Sequence, residues 1–255
     1  MSNDKQIAIV LAAGKGTRMK SDLPKVLHTI NGAPLLQYVL DSINSIQGFD
    51  DIYVIVGHKA ELVIREFTKQ EHLTFIEQKE QLGTGHAVMH VCPYLQNISG
   101  NVVVLCGDTP LLTSQTISSL ISFQKETKAA AVVLTADLDD PAHYGRIIRD
   151  HNGNVLAIRE FRDCTEPEKQ IKEINSGVFC FDIQQLLFAL DRLTSDNDQK
   201  EFYLTDTLEI LKANGKTIKA VKTDDPQEIS GINTVTELKE TEEIILKKEK
   251  LLEVK

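Results

Sequence analysis

Short apolar runs alternate with amphipathic stretches through the first half of the chain. The runs lie at Ile7–Leu11, Ile52–Val56, Leu73–Ile76, Val102–Leu105 and Ala131–Thr135. They are too short for buried helices and rich in β-branched residues, so they predict strands. Between the first two, Leu35, Leu36, Val39, Leu40, Ile43 and Ile46 recur at helical spacing. Further helices are predicted over Ala60–Thr68, from about Thr84, and over Ser114–Glu126. Strand–helix alternation predicts βαβ units and a mostly parallel sheet, hence an α/β fold. On such sheets ligands sit beyond the carboxyl ends of the strands.

After about residue 140 the rhythm changes. YGRIIRD (144–150), NVLAIRE (154–160) and NSGVFCFD (175–182) read as short strands split by turns such as His151–Asn152–Gly153. They predict antiparallel strands inserted late in the fold. Helices are predicted again over Ile183–Leu193 and Tyr203–Ala213, then a strand at Ile218–Val221. The charged stretch from Thr234 to Lys255 predicts a helix on which Leu238, Ile245 and Leu252 form a broken apolar face.

Composition narrows the class. The chain has 255 residues, 42% hydrophobic and 25% charged, and a net charge of −9. That is the balance of an ordinary globular protein. The negative charge argues against non-specific nucleic-acid binding, though not against a local site for one small anion. Cys92, Cys106, Cys164 and Cys180 show neither CxxC nor zinc-ligand spacing, which fits reduced thiols in the cytoplasm. The start, MSNDKQ, has no signal-peptide pattern, and no apolar run reaches the roughly 18 residues of a membrane span. The expectation is a cytoplasmic protein with no nucleic-acid or membrane partner.

The most specific local feature is LAAGKGTRMKSDLPK at 11–25, directly after the first predicted strand. Gly14 and Gly16 make a turn; Lys15, Arg18 and Lys25 supply cations. Such a loop can offer backbone N–H groups and positive charge to a phosphate chain. It matches neither GxxxxGK[ST] nor GxGxxG, since the third glycine is missing. Taken alone it is also compatible with a plain βα turn carrying surface cations.

LAAGKGTRM followed by LPKVLH resembles the signature of the sugar-1-phosphate nucleotidyltransferases. GTGHA at 83–87, GDTPLL at 107–112, YGRI at 144–147, EINSG at 173–177 and GIN at 231–233 extend the resemblance over roughly residues 6 to 235. It is closest to the uridylyltransferase domain of bacterial bifunctional enzymes that make UDP-N-acetylglucosamine. The resemblance implies a Rossmann-like, GT-A-like three-layer sandwich with a small antiparallel insertion. It implies a nucleotidyltransferase domain over residues 1–233 and a terminal helix over 234–255. The implied reaction is UTP plus N-acetylglucosamine 1-phosphate giving UDP-N-acetylglucosamine, a precursor of peptidoglycan and lipopolysaccharide, and pyrophosphate. In the bifunctional relatives a hexapeptide-repeat β-helix follows and drives trimer formation. This sequence shows no such repeat, so a monomer or weak oligomer without acetyltransferase activity is expected.

The resemblance also assigns residues. Arg18 and Lys25 are the catalytic cations. Leu11, Ala12, Ala13, Gly14, Lys15 and Lys25 hold the nucleotide, with Gln78, Gly83 and Thr84 at the base and Cys106 and Gly107 beside it. The position of Cys106 often carries an aromatic residue in the family. Gly145, Glu160, Asn175 and Asn233 face the sugar. Asp108 and Asn233 are the implied Mg²⁺ ligands, and Mg²⁺ favours such oxygen donors. Asp108 could otherwise cap the helix that follows. The Gln78 amide is both donor and acceptor; it can read uracil, but flipped it would suit cytosine. His86 and His90, four apart on a predicted helix, could face one metal, but HExxH is absent. His86 reads instead as packing or capping near the nucleotide loop.

Overall fold

The computed structural model describes residues 4–70 and 72–253, with the side chains of residues 249 and 251–253 left out. Nine strands form one sheet among the described residues. They are β1 (Lys5–Ala12), β2 (Asp51–Val56), β3 (Leu73–Glu77), β4 (Gly100–Cys106), β5 (Ala131–Asp137), β6 (Arg146–Arg149), β7 (Val155–Arg159), β8 (Glu173–Asp182) and β9 (Ile218–Lys222). The main path runs β9-β5-β8-β4-β1-β2-β3, and β6 and β7 form a ribbon attached through β8. The pairs β1–β2, β1–β4, β2–β3 and β5–β9 are parallel. The expected mostly parallel α/β sheet is therefore present.

Seven helices are used below: α1 (Leu35–Asn44), α2 (Ala60–Phe67), α3 (Thr84–Met89), α4 (Ser114–Thr127), α5 (Ile183–Leu190), α6 (Asp206–Ala213) and α7 (Val235–Glu253). They cover both faces of the sheet. Alternate residues of β1 point to opposite sides. Ala8, Val10 and Ala12 pack with Leu36 and Leu40 of α1, Val63 and Phe67 of α2, and Ile117 and Leu120 of α4. Ile7 and Ile9 pack with Val88 of α3, Leu186 and Leu190 of α5, and Leu208 and Leu211 of α6. Strands buried on both faces read as continuous apolar runs, which is why they stood out in the sequence.

The expected antiparallel strands come late in the sequence, over residues 146–182. The longest, β8, lies in the middle of the sheet, antiparallel to both β4 and β5. Only β6 and β7 form a peripheral ribbon. Val178–Phe181 is a fully apolar run buried on both faces, the mark of a central strand. Inserting β8 in this direction brings its first residues to the edge where the parallel strands end. Its register shifts between Asn175 and Phe179, so Ser176 to Val178 leave the regular ladder.

The terminal helix α7 docks on a third, smaller core. Ile245 of α7 packs with Ile30, Leu35, Leu111 and Ile232, with Leu238 and Ile244 alongside. Leu252, expected on the same face, lies outside the residues whose side chains are described. Among the described residues no helix is long and apolar enough to cross a membrane.

Because Ile245 is only 7% exposed, truncating it should leave a cavity in this small core. Ile245→Ala is expected to lose about 2–4 kcal/mol, read as a lower urea midpoint with an unchanged slope.

Candidate functional site

Four polar side chains from three distant segments meet at the carboxyl edge of the sheet. β1 ends in the turn that carries Gly16, and two short helical turns follow at Thr17–Met19 and Lys25–Leu27. The Lys25 ammonium contacts the carboxylate of Asp108, just beyond β4. It also donates to Asn233 Oδ1 at 3.1 Å. Arg18 Nη2 donates to the same Asn233 oxygen at 2.8 Å. The Lys25 and Asp108 side chains are 16% and 15% exposed, whereas Arg18 is open to solvent.

Local structure fixes each member. Gly16 has φ +59°, and a Cβ there would lie 2.7 Å from Cβ of Lys25. A side chain at this position would be strained and would push Lys25 away. Asp108 does not cap the following helix: that role falls to Thr113, whose hydroxyl accepts from Thr116 N–H at 3.2 Å. The Asp108 carboxylate is thus left for the site. Its backbone carbonyl accepts from Ile232 N–H at 2.9 Å, tying the two loops together. Asn233 is held from behind. Glu237 accepts from the backbone N–H groups of Asn233 at 2.6 Å and Thr234 at 2.9 Å, while Thr234 Oγ1 accepts from Glu237 N–H. This is a reciprocal capping box at the start of α7.

Beside these charges lies a cleft of about 260 Å³. Leu11, Ala12, Ala13, Gly14, Lys25, Gln78, Gly83, Thr84, Cys106 and Asp108 all line it. Two expected nucleotide residues lie elsewhere. Gly107 is buried under the loop, with its N–H donating to Leu11 O at 2.9 Å. Lys15 is exposed and away from the cleft lining. The cleft also takes in Gln81 and Glu201, which the sequence reading missed. Helix α6 begins at Asp206 rather than Tyr203 because the preceding residues pair with the 82–85 loop. Phe202 N–H donates to Leu82 O, and Gly85 N–H to Phe202 O, each at 2.8 Å. That pairing carries Glu201 to the rim.

Gly145, Glu160 and Asn175 come together next to this cleft. Asn175 N–H donates to Gly145 O at 2.9 Å, and a Cβ on Gly145 would lie 3.5 Å from Glu160 Oε2. The Asn175 side chain accepts from Gly177 N–H at 3.0 Å. Gly177 in turn abuts Cys106 at the cleft, with Sγ 3.7 Å from its carbonyl oxygen. The YGR segment is built on Arg146, which is 2% exposed. Its guanidinium donates to the carbonyls of Pro141, Ala142, Tyr144 and Lys169, neutralising a buried cation with backbone dipoles.

Carboxyl groups crowd the far side of this pocket. Burial pushes the Glu160 carboxyl up, although Thr205 Oγ1 donates to it at 3.0 Å. Asp206, on the next turn, is pushed up to about 6 by burial and by the negative Glu209 and Glu160 nearby. Among the described residues no cluster of three or more His, Cys, Asp or Glu side chains could hold a metal. His86 and His90 pack edge to face at 4.7 Å without a third ligand.

A MobA-like NTP transferase domain model matches residues 8–174. The chain belongs to the MobA-like NTP transferase domain family. The matched span carries Arg18, Lys25, Asp108 and most of the cleft; Asn233 and Glu201 lie beyond it. The chain is 46% identical over 241 residues to the bifunctional protein GlmU of Geobacillus sp. strain WCH70. That alignment covers 94% of this chain and 52% of GlmU, so the chain spans about half the length of the curated relatives it matches. Among solved structures, HddC from Yersinia pseudotuberculosis superposes with a TM-score of 0.67 at 24% identity, covering 94% of this chain and 99% of that one. A UDP-glucose pyrophosphorylase complexed with UDP-glucose gives 0.74 at 17% identity, covering 96% and 99%. These two show a shared NTP transferase fold.

The raised pKa of Asp206 fixes the sign of a pH effect. Between its ordinary value of 3.8 and about 6, the folded NTP transferase binds more protons here than the unfolded chain. Its stability therefore falls through this window as pH rises. Asp206→Asn should melt at a higher temperature than the parent at pH 7, with the gap closing below about pH 4; calorimetry across pH reads both.

Proposed function

We propose that the chain transfers UMP from UTP to N-acetylglucosamine 1-phosphate, giving UDP-N-acetylglucosamine and pyrophosphate. The observation that carries this reading is the meeting of Arg18, Lys25, Asp108 and Asn233 at the mouth of the Gln78 cleft. The motif resemblance and the GlmU relatives support the choice of substrates.

The chemistry asks little of the protein in covalent terms. An oxygen of the sugar phosphate, already ionised, attacks the α-phosphorus of UTP. The new P–O bond forms as the bond from the α-phosphorus to the bridging oxygen breaks, and that oxygen leaves with pyrophosphate. The obstacle is electrostatic, because two anions must approach and negative charge gathers on the leaving group. Arg18 offers a planar fork of donors to phosphate oxygens, and Lys25 a mobile point charge. Gly145, Glu160 and Asn175 stand where the sugar would lie, with Glu160 and Asn175 able to bond hydroxyls.

The same residues fit Mg²⁺. The Lys25 ammonium already draws the Asp108 carboxylate and the Asn233 amide oxygen around one cation, and both are hard oxygen donors of the kind Mg²⁺ takes together with phosphate and water. Asp108 and Asn233 would hold the ion, which when bound would neutralise charge on the phosphates. The capping box on Glu237 keeps Asn233 in place for this.

Pyrophosphate release from UTP and N-acetylglucosamine 1-phosphate, with and without Mg²⁺, tests the reading. Asp108→Ala and Arg18→Ala should each lower kcat by about 10²–10³-fold while melting like the parent. Full activity in either variant would refute the site. Faster turnover with a different sugar phosphate or nucleotide would move the substrate assignment but leave the site standing.

A further inference from the structure

The Gln78 side chain is 3% exposed and sits in the cleft wall. Its amide nitrogen lies 3.1 Å from the carbonyl oxygen of Gly83 and 3.1 Å from Nδ1 of His86. A carbonyl oxygen can only accept, so the amide atom facing Gly83 must be the NH₂ group. The NH₂ group then directs its second proton at His86 Nδ1. That nitrogen must accept, which puts the imidazole proton on Nε2. Both donor positions of the amide are spent inside the wall, and Oε1 remains for a ligand.

The surroundings hold His86 in this role. It is half-buried on α3, against the edge of His90 at 4.7 Å and near Phe202 at 6.3 Å between ring centres. The 82–85 loop beneath it is pinned by its pairing with Phe202. At Gly83, with φ +107°, a Cβ would lie 2.5 Å from Phe202 O, so the loop lies tight against the Phe202 backbone. Turning the amide over would set its oxygen against the Gly83 carbonyl and would also require His86 to move its proton from Nε2 to Nδ1. Buried polar groups left facing like partners are costly.

We propose that His86 is a specificity-determining positioning residue: by accepting from the Gln78 amide it locks Oε1 toward the cleft and so selects uracil over cytosine. The inference rests on the uridylyl-transfer reading above and deepens it. At the start of α3, beside Gln78, Gly85 N–H is taken by Phe202 O, which leaves the Thr84 N–H, on the first residue of the helix, as the donor offered to a base. An acceptor fixed beside that donor complements the N3–H and O4 edge of uracil. Cytosine offers an acceptor at N3 and a donor at N4, mismatched at both. A freely turning glutamine would accommodate either base.

Three variants and one spectrum test this. The kcat/KM ratio for UTP over CTP is compared in the parent, His86→Leu and His86→Asn. His86→Leu removes the acceptor and should lower the ratio about tenfold, the weight of one hydrogen bond, through a rise in CTP turnover and in KM for UTP. His86→Asn can still accept and should keep most of the ratio. The UTP to dTTP ratio should not move with either variant, because thymine shares the N3–H and O4 edge. Gln78→Leu should lose UTP-over-CTP selection whichever residue stands at 86. Should His86→Leu fail to fold, long-range ¹H–¹⁵N correlation on the labelled parent reads the His86 tautomer directly. The Nε2–H form is expected, and an Nδ1–H form overturns the proposal. An unchanged ratio in folded His86→Leu, or a parent indifferent between UTP and CTP, also overturns it. Absence of nucleotidyl transfer with every nucleotide would instead refute the underlying reading, with the His86 tautomer still deciding the lock.

Discussion

The contact of the Lys25 ammonium with two oxygens, one from Asp108 and one from Asn233, is the constraint on which the rest of the site depends. Each partner arrives from a different part of the sequence, and each would repel or be idle without the others. Two cations drawn onto one amide oxygen would be unfavourable without the carboxylate beside them. The carboxylate, largely withdrawn from water, needs a cation in contact. The cluster thus closes three loops over the end of the sheet. It also leaves positive charge at the mouth of a cleft whose walls are mostly backbone and small side chains.

The fold makes this meeting possible through the direction of its strands. Parallel strands deliver the ends of β1 and β4 side by side, so the glycine turn and Asp108 become neighbours although nearly a hundred residues separate them. The reversed strand β8 then supplies its beginning at the same edge. Asn175 thereby arrives beside the cleft from the opposite chain direction, and the irregular register after it lets Gly177 press against Cys106. A sheet of purely parallel strands would have put the first residues of β8 at the far end of the molecule.

Much of this was legible in the sequence. Apolar runs that are short and rich in β-branched residues read as strands, and the residues just after them fall at the ligand edge by the geometry of α/β folds. Leu11 to Gly14, Lys25 and Asp108 could be placed on that ground and by motif. What stayed hidden depends on contacts between segments that periodicity examines one at a time. The central place of β8 is a matter of pairing, although the unbroken Val178–Phe181 run carried a hint. Glu201 reaches the cleft because residues before α6 pair with the 82–85 loop, which nothing in their own pattern shows. Lys15 and Gly107 stand in the motif but not in the cleft wall, since the loop turns one outward and buries the other. Gln78 looked free to flip until His86 appeared across from its amide.

The capping box of Thr234 and Glu237 has a bearing on the order in which the molecule comes into being. Asn233 bonds Lys25 and Arg18 across 208 and 215 residues of chain, among the longest sequence separations in the fold, and closing such loops comes late in folding. A polypeptide emerging from the ribosome can complete β1 through β4 and bring Lys25 to Asp108 while Asn233 is still unsynthesised. Asn233, and the capping box of Thr234 and Glu237 that holds it, can join only once that stretch has been made. A chain that has not yet reached Asn233 therefore carries all three charges of the cluster, Arg18, Lys25 and Asp108, without the neutral amide oxygen that gathers its two cations.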